Sequence, residues 1–298
     1  MTTQHDRLTA LLDVRVREPE RVQALAVARP RPAGLVGQTG RLLLVAADHP
    51  ARGALRAGDR ALAMGDRLEL LDRLCTVLSR PGVDGVLGTA DIVEDLLLLG
   101  ALDRKVVLGS MNRGGLAGTV FELDDRFTGY TAAGAAARGL QGGKMLLRID
   151  PDDPATVATV EACGRAVSEL AARRLMAMVE PFISHRVDGR VRIDLGVEAS
   201  IRAMTVAAGI GNTSAYTWLK VPVVEEMERV MAATTLPALL LGGEVSTDQD
   251  AAFESWRKAL KLPTVQGLVI GRSLLYPPDD DVAAAVDTAV GLLQEGTG

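Results

Sequence analysis

The sequence predicts an α/β fold, a (β/α)8 TIM barrel over residues 41–298 with an N-terminal helical extension over residues 1–40. Three observations carry that expectation. From residue 41 onward, eight short apolar runs alternate with stretches of helical spacing. Their number and the chain length of 298 residues suit one eight-fold barrel, and 48% hydrophobic residues supply its core. No G-x-G-x-x-G follows the first run, which weakens the rival doubly wound open sheet.

Taken in order, Leu8, Leu11 and Leu12 mark a short amphipathic helix, and Arg29-Pro-Arg-Pro32 ends the segment after it. This extension is expected to pack under the barrel or against another subunit. Leu42 to Asp48 is the first strand, and Leu68, Leu71, Leu74 and Leu78 follow at helical spacing. Val83 to Gly88 is the second strand, with Thr89 placed to cap the next helix. Lys105 to Gly109 is the third. A Gly-rich loop and a helix from Tyr130 to Leu140 lead to the fourth, Lys144 to Ile149. A long helix spans Pro154 to Arg174 before the fifth strand, Leu175 to Glu180. After a helix from Val197 to Ala208 comes the sixth strand, Ala215 to Pro222. The seventh is Ala238 to Gly242, and Ser246 with Gln249 has the spacing of a capping box. The eighth is Gln266 to Ile270, with a last helix from about Asp281 to Leu293.

Several strands close on a charge: Asp48, Arg148, Glu180 and Lys220. A barrel delivers all these ends to one rim, the rim where such barrels keep their chemistry. In the sixth strand, alternation puts Tyr216, Trp218 and Lys220 on one side. A single lysine at the end of an apolar strand can simply snorkel into water. Four strand-end charges of both signs fit that bland account less well, because barrel interiors are filled by apolar layers. Gly242-Gly243 after the seventh strand and Gly271-Arg272 after the eighth occupy the loops where barrels often bind phosphate. A lysine beside a phosphate site suggests covalent chemistry on a carbonyl. Free lysine, with a pKa of about 10.4, is a poor nucleophile until burial or a second cation frees its amine. A carboxylate, Glu180 or Asp48, would then move protons.

At these residues the chain resembles the class I, Schiff-base aldolases of the deoxyribose-phosphate, fructose-bisphosphate and tagatose-bisphosphate group. Leu219-Lys-Val-Pro222 is similar to the strand that carries the Schiff-base lysine there, and Ala47-Asp-His-Pro-Ala-Arg-Gly53 to the turn after the first strand. Lys144 to Asp153 resembles the tagatose-type fourth strand, Val179-Glu180 the fifth-strand glutamate, and Gly271-Arg272 the phosphate-gripping pair. The resemblance covers about residues 41–280. It implies Lys220, Glu180, Asp48 and Lys144 as catalytic residues and Gly271 and Arg272 as the phosphate grip; His49, Arg148, Trp218, Gly242 and Gly243, read from their places at the barrel mouth, are further candidates for binding a phosphorylated sugar. Whether Lys144, early in its strand, reaches the mouth is left open. Closest is an actinobacterial branch associated with myo-inositol catabolism, which implies cleavage of a phosphorylated deoxy-keto-gluconate to dihydroxyacetone phosphate and malonate semialdehyde. Two features depart from the group's pattern. Glu244 would repel a phosphate if turned inward, and Pro-Phe-Ile-Ser-His185 stands where a tyrosine would be expected.

Other readings stay open: acyl or ketol transfer with the same lysine, or a non-catalytic sugar-phosphate-binding barrel. His49 could orient Asp48 or bind substrate hydroxyls, whereas His5 and His185 are expected at the surface. Trp218 could equally fill a barrel layer. Cys75 and Cys163 lie far apart, with no disulfide framework or metal-ligand spacing, so no metal or other cofactor is expected and a zinc-dependent mechanism is disfavoured. A net charge of −5 argues against nucleic acid or anionic membrane as partner. With no signal-peptide pattern and no apolar run near the roughly twenty residues of a membrane span, a cytoplasmic homo-oligomer is expected.

Overall fold

The computed structural model describes residues 4–36, 40–246 and 248–295; the side chain of His5 lies outside what it describes. The strands are β1 (Leu42–Ala46), β2 (Gly85–Gly88), β3 (Val106–Ser110), β4 (Gly142–Ile149), β5 (Met176–Val187), β6 (Arg190–Asp194), β7 (Thr217–Val221), β8 (Ala238–Leu241) and β9 (Val265–Ile270). All but β6 pair in parallel in the order β1-β2-β3-β4-β5-β7-β8-β9, and β9 returns to β1. The result is a closed eight-stranded (β/α)8 barrel. Among the described residues, no helix is long and apolar enough to cross a membrane.

Strand alternation sorts the core into two shells. Leu43, Val45, Met145, Leu147, Ala177 and Val179 face outward. They pack against α3 (Arg67–Ser79), α6 (Thr156–Ala171), α7 (Val197–Gly209), α8 (Met227–Met231), α11 (Val282–Glu295) and their neighbours in the helical ring. Leu42, Leu44, Leu108, Met176, Met178, Leu239 and Val269 fill the barrel interior. Partway up, that interior turns polar, and there the site begins.

The N-terminal segment folds as α1 (Gln4–Arg17) and α2 (Glu20–Ala28). Leu11 joins the outer core, and Arg15 Nη2 lies 2.6 Å from Asp95 Oδ1. Buried Arg29 donates to the carbonyls of Leu102 and Lys105, both at 2.8 Å, and to that of Gly139 at 3.2 Å. These carbonyls belong to the loops that enter β3 and β4 from below. Leu35 then packs against the interior cluster.

Several elements depart from expectation. The helix expected over Tyr130 to Leu140 is only α5 (Ala132–Ala137), capped by Thr131, whose hydroxyl accepts from Gly134 N. Thr89 sits at the cap position of α4 (Ala90–Leu98), but its hydroxyl donates to Asp91 Oδ1 instead of capping the backbone. No Ser246–Gln249 box forms: the cap of α9 (Gln249–Ala259) is Asp248, which accepts from Ala251 N at 2.9 Å. The fifth strand does not stop at Glu180. It runs on to Val187 and turns through Asp188-Gly189 (φ 50° and 72°) into antiparallel β6. Both turn residues are left-handed, the geometry in which a two-residue Asp-Gly turn matches strand twist.

Candidate active site

A cavity of about 900 Å³ opens at the C-terminal mouth of the barrel. Its lining includes Asp48, His49, Lys144, Arg148, Glu180, Lys220, Gly242, Gly243, Gly271 and Arg272. Interior parity explains the first group. Asp48 continues the inward face of Leu42, Leu44 and Ala46, and Glu180 that of Met176 and Met178. Lys220 follows Trp218 two residues higher on β7.

Trp218 does not line the cavity. It packs with the apolar interior cluster beneath, which removes it from the expected substrate contacts. Lys144 does reach the site. β4 begins at Gly142, so Lys144 starts low, level with Ser110 and Met178, and its side chain climbs the barrel axis.

The two ammonium groups meet on one carboxylate. Lys220 Nζ lies 2.8 Å from Glu180 Oε1, and Lys144 Nζ contacts Glu180 Oε2. Lys144 Nζ is also 3.3 Å from Asp48 Oδ2. All four groups are buried. Burial opposes ionisation of Glu180, but Lys144 and Lys220 outweigh it and hold the carboxyl well below the usual carboxylate range. For Asp48, burial is likewise overcome, here by Arg113 and then Lys144. Desolvation, followed by the charge of Arg113, pushes Lys144 down to about 8. Burial pushes His49 down to about 3, so its ring is neutral at ordinary pH. His49 Nδ1 is 4.0 Å from Asp48 Oδ1 and is without a hydrogen-bond partner.

Sequence reasoning missed several residues of the site. Ser110 ends β3 and donates to Asp48 Oδ2 at 3.0 Å, while its hydroxyl accepts from Arg113 Nε at 2.8 Å. Carrying the third strand one residue past Gly109 would have placed Ser110 inward with Val106 and Leu108. Asn112 pins the β3–β4 loop onto β4: Oδ1 accepts from Leu146 N at 2.7 Å, and Nδ2 donates to Leu146 O at 2.6 Å. The loop so held carries Glu122 and Asp125. Arg148 is therefore engaged at its end of β4, with Nε 2.9 Å from Asp125 Oδ2 and Nη2 2.6 Å from Asp125 Oδ1.

On the other side, Arg272 opens the four-residue helix α10 (Arg272–Leu275). Its Nε is buried without a hydrogen-bond partner. Glu244 stands 3.7 Å away on Nη1, but its side chain is 87% exposed, so it does not close the cavity to an anion. Gly271 has no room for a Cβ, which would sit 2.6 Å from Ala46 O and 2.8 Å from His49 Cε1. Gly243, at φ 69°, adopts a backbone that L side chains rarely take.

Away from the cavity lining, Asp150, Asp152 and His185 bring their ligand atoms within 4.8 Å of one another. No metal-ligand grouping was legible in the sequence, because β4 and β5 bring these residues together only in the fold. His185 is half-buried there, beside exposed Asp152.

No curated protein matches the chain. Among solved structures, Cgl0159 from Corynebacterium glutamicum is similar at 54% identity and a TM-score of 0.94, covering 97% of this chain and 97% of that one. An archaeal fructose-1,6-bisphosphate aldolase, with its catalytic lysine covalently bound to the carbinolamine intermediate, has a TM-score of 0.64 at 16% identity; the match covers 93% of this chain and 100% of that one. A fructose-bisphosphate aldolase from Slackia heliotrinireducens has a TM-score of 0.63 at 14% identity, covering 94% and 92%. At such identities these two aldolases share the barrel fold. The Cgl0159-like family model matches residues 40–290, and the chain belongs to that family.

Proposed function

We propose that the protein is a Schiff-base aldolase acting on a phosphorylated ketose, with Lys220 as nucleophile. The observation that carries this reading is the pair of buried lysines bridged by the two oxygens of Glu180 inside the mouth cavity. A structural ion pair has no need of two ammonium groups on one carboxylate, with Asp48 adding a second contact to one of them. Amine chemistry does, because a proton acceptor must stand beside the nucleophile. The archaeal aldolase of like fold, with its substrate held on a lysine, supports the same reading.

In the proposed cycle the Lys220 amine adds to the ketone carbon, and the carbinolamine loses water to leave an iminium. Glu180, 2.8 Å from Lys220, accepts the proton of the hydroxyl on the carbon beyond the breaking bond. That carbon becomes the aldehyde, and the bond's electron pair passes into the iminium as an enamine. The enamine carbon takes a proton back, and water releases the ketone. Arg272, with the backbone of Gly242, Gly243 and Gly271, holds the phosphate. The finer reading, a phosphorylated deoxy-keto-gluconate giving dihydroxyacetone phosphate and malonate semialdehyde, rests on the sequence resemblance and belongs first in the substrate screen.

Borohydride reduction in the presence of phosphorylated ketoses tests the reading. A stable mass increase on the peptide containing Lys220 is expected. Saturable ligand binding with no adduct for any ketose phosphate would leave a binding-only barrel instead.

Arg272→Ala gives the phosphate assignment its own expected result. KM for a phosphorylated substrate should rise by one to two orders of magnitude, about 1.5–3 kcal/mol for a charged hydrogen bond. An unphosphorylated analogue should be little affected. Equal losses on both would make Arg272 structural.

A further inference from the structure

β6 lies outside the closed barrel. It is the last strand of the sheet order and pairs with β5 alone, so among the described residues its other side has no strand beside it. Four of its five residues are exposed. Ile193 is 44% exposed, and Leu195, just beyond the strand, 51%. An open edge of this kind is a template for a further strand, and proteins blunt it with proline, bulges or charges. β6 has no proline, and its register with β5 is unbroken from Arg190 to Asp194. Only its charges remain as a guard.

Those charges match themselves. The Asp188-Gly189 turn is flanked by the pair Val187 and Arg190, which in a two-residue hairpin exchanges both backbone hydrogen bonds. Alternation then points the N–H and C=O of Arg192 and Asp194 at β5, and those of Val191 and Ile193 outward. Consider an antiparallel copy of the same strand on that outer side. Centred on Arg192, the pairing would oppose two guanidiniums, and centred on Asp194 two carboxylates, both destabilising. Centred on Ile193, every pair agrees. Ile193 meets the partner's Ile193, Val191 meets the partner's Leu195, and Arg192 meets the partner's Asp194. The aliphatic pairs fall at hydrogen-bonded positions, and the Arg–Asp pairs at the non-bonded positions where opposed side chains come closest. Within its own chain Arg192 has no ion pair among the described residues, and Asp194 accepts from Gly196 N at 2.8 Å through Oδ1 only.

We infer that β6 is the contact by which two copies of this chain join, across a two-fold axis at Ile193, so that two hairpins become one four-stranded ribbon. A strand from an unrelated protein has no need of a palindromic pattern, whereas a two-fold axis requires a self-complementary patch. The axis stands perpendicular to the ribbon, so Val191, Ile193 and Leu195 of both copies share one face. These side chains wall the cavity. Pairing therefore lays the partner's aliphatic row beside each mouth and takes from water apolar surface that the single chain leaves exposed. The contact stands on the sheet edge and is independent of the reaction proposed above.

Sedimentation velocity on the full chain tests it. The wild type should sediment as a dimer, or an even multiple of one, at micromolar concentration. Arg192→Asp and Asp194→Arg each set like charges opposite one another twice, and each should weaken the association by about tenfold or more. Mixed in equal amounts, the two single variants should associate again, because each then meets the opposite charges of the other. The double variant R192D/D194R should associate by itself. Ile193→Cys adds no charge and leaves the backbone bonds to β5 in place. A short bismaleimide should join it to its copy as a product of twice the mass, which the wild type, with Cys75 and Cys163 only, should not give. A wild-type monomer at every concentration, single variants that associate as tightly as the wild type, or a mixture that stays apart would overturn the contact. Should the charge variants fail to fold, the crosslink decides: absence of the doubled product from Ile193→Cys would overturn it equally.

Discussion

Lys220→Met should eliminate the borohydride adduct and lower cleavage by roughly 10⁴-fold or more, the scale on which removing a covalent nucleophile acts. The fold should tolerate the change. Its neighbours on β7 are apolar, and Glu180 keeps Lys144 as partner, so no buried carboxylate is orphaned. Peptide mapping of the wild-type adduct provides the decisive comparison, because Lys144 is the obvious rival. That amine is pushed down to about 8 and lies against the same glutamate. Two features favour Lys220 nonetheless. Lys144, rising from lower in the barrel, is held by two carboxylates, whereas Lys220 touches one and sits near the end of its strand. An adduct that survives Lys220→Met and maps to Lys144 would reverse the roles. On the present assignment Lys144→Met slows imine formation but leaves an adduct at Lys220.

Glu180→Gln should cut kcat by about 10²–10⁴-fold, the usual worth of a general acid–base group. Its pH signature follows from the coupling to Lys144. Glu180 is held well below the usual carboxylate range, so its own titration leaves no limb near neutrality in the free enzyme. The group that titrates there is Lys144, at about 8, and the negative charge of Glu180 is one of the influences that raise it. If the ammonium form of Lys144 is the active one, kcat/KM falls as pH rises through about 8. Replacing Glu180 with a neutral amide removes a charge that favours the ammonium form, so the limb should move to lower pH. Asp48→Asn should move it the same way, because Asp48 also raises Lys144, but should cost less kcat. A larger kcat loss for Asp48→Asn than for Glu180→Gln would make Asp48 the proton carrier. That carboxylate is tied to Arg113, Ser110 and Lys144, a placement that suits holding Lys144 better than moving protons.

The barrel was legible because its strands are continuous apolar runs, and period-two alternation carries each inward face up to its charge. That rule placed Asp48, Glu180 and Lys220 at the cavity. It mistook Trp218, since a shared face does not mean a shared height: two residues along a strand is about 6.6 Å, enough to drop a side chain below the pocket floor. The hairpin of β5 and β6 was hidden for another reason. Arg186, Arg190, Arg192 and Asp194 break up any continuous apolar run, although the Asp188-Gly189 turn and the alternating Val191, Ile193 and Leu195 encode it. Those three apolar side chains form one wall of the cavity. Glu122 and Asp125 had no local signal at all. Their place depends on Asn112 fastening a long loop to β4, a contact between residues 34 apart that no periodicity reveals.

Leu35 and the apolar layer around Trp218 stop the barrel axis from below, so the cavity is a cul-de-sac. On the aldolase reading proposed above, two fragments made inside it leave through the mouth in turn. The fragment tethered to Lys220 has to wait for bond hydrolysis, so the free aldehyde departs first and the tethered half second. In the synthetic direction the queue reverses: the ketone half must dock before the aldehyde can be used. Aldehyde present in excess before the ketone arrives would then act as an obstruction at the threshold, visible as substrate inhibition that added ketone phosphate relieves.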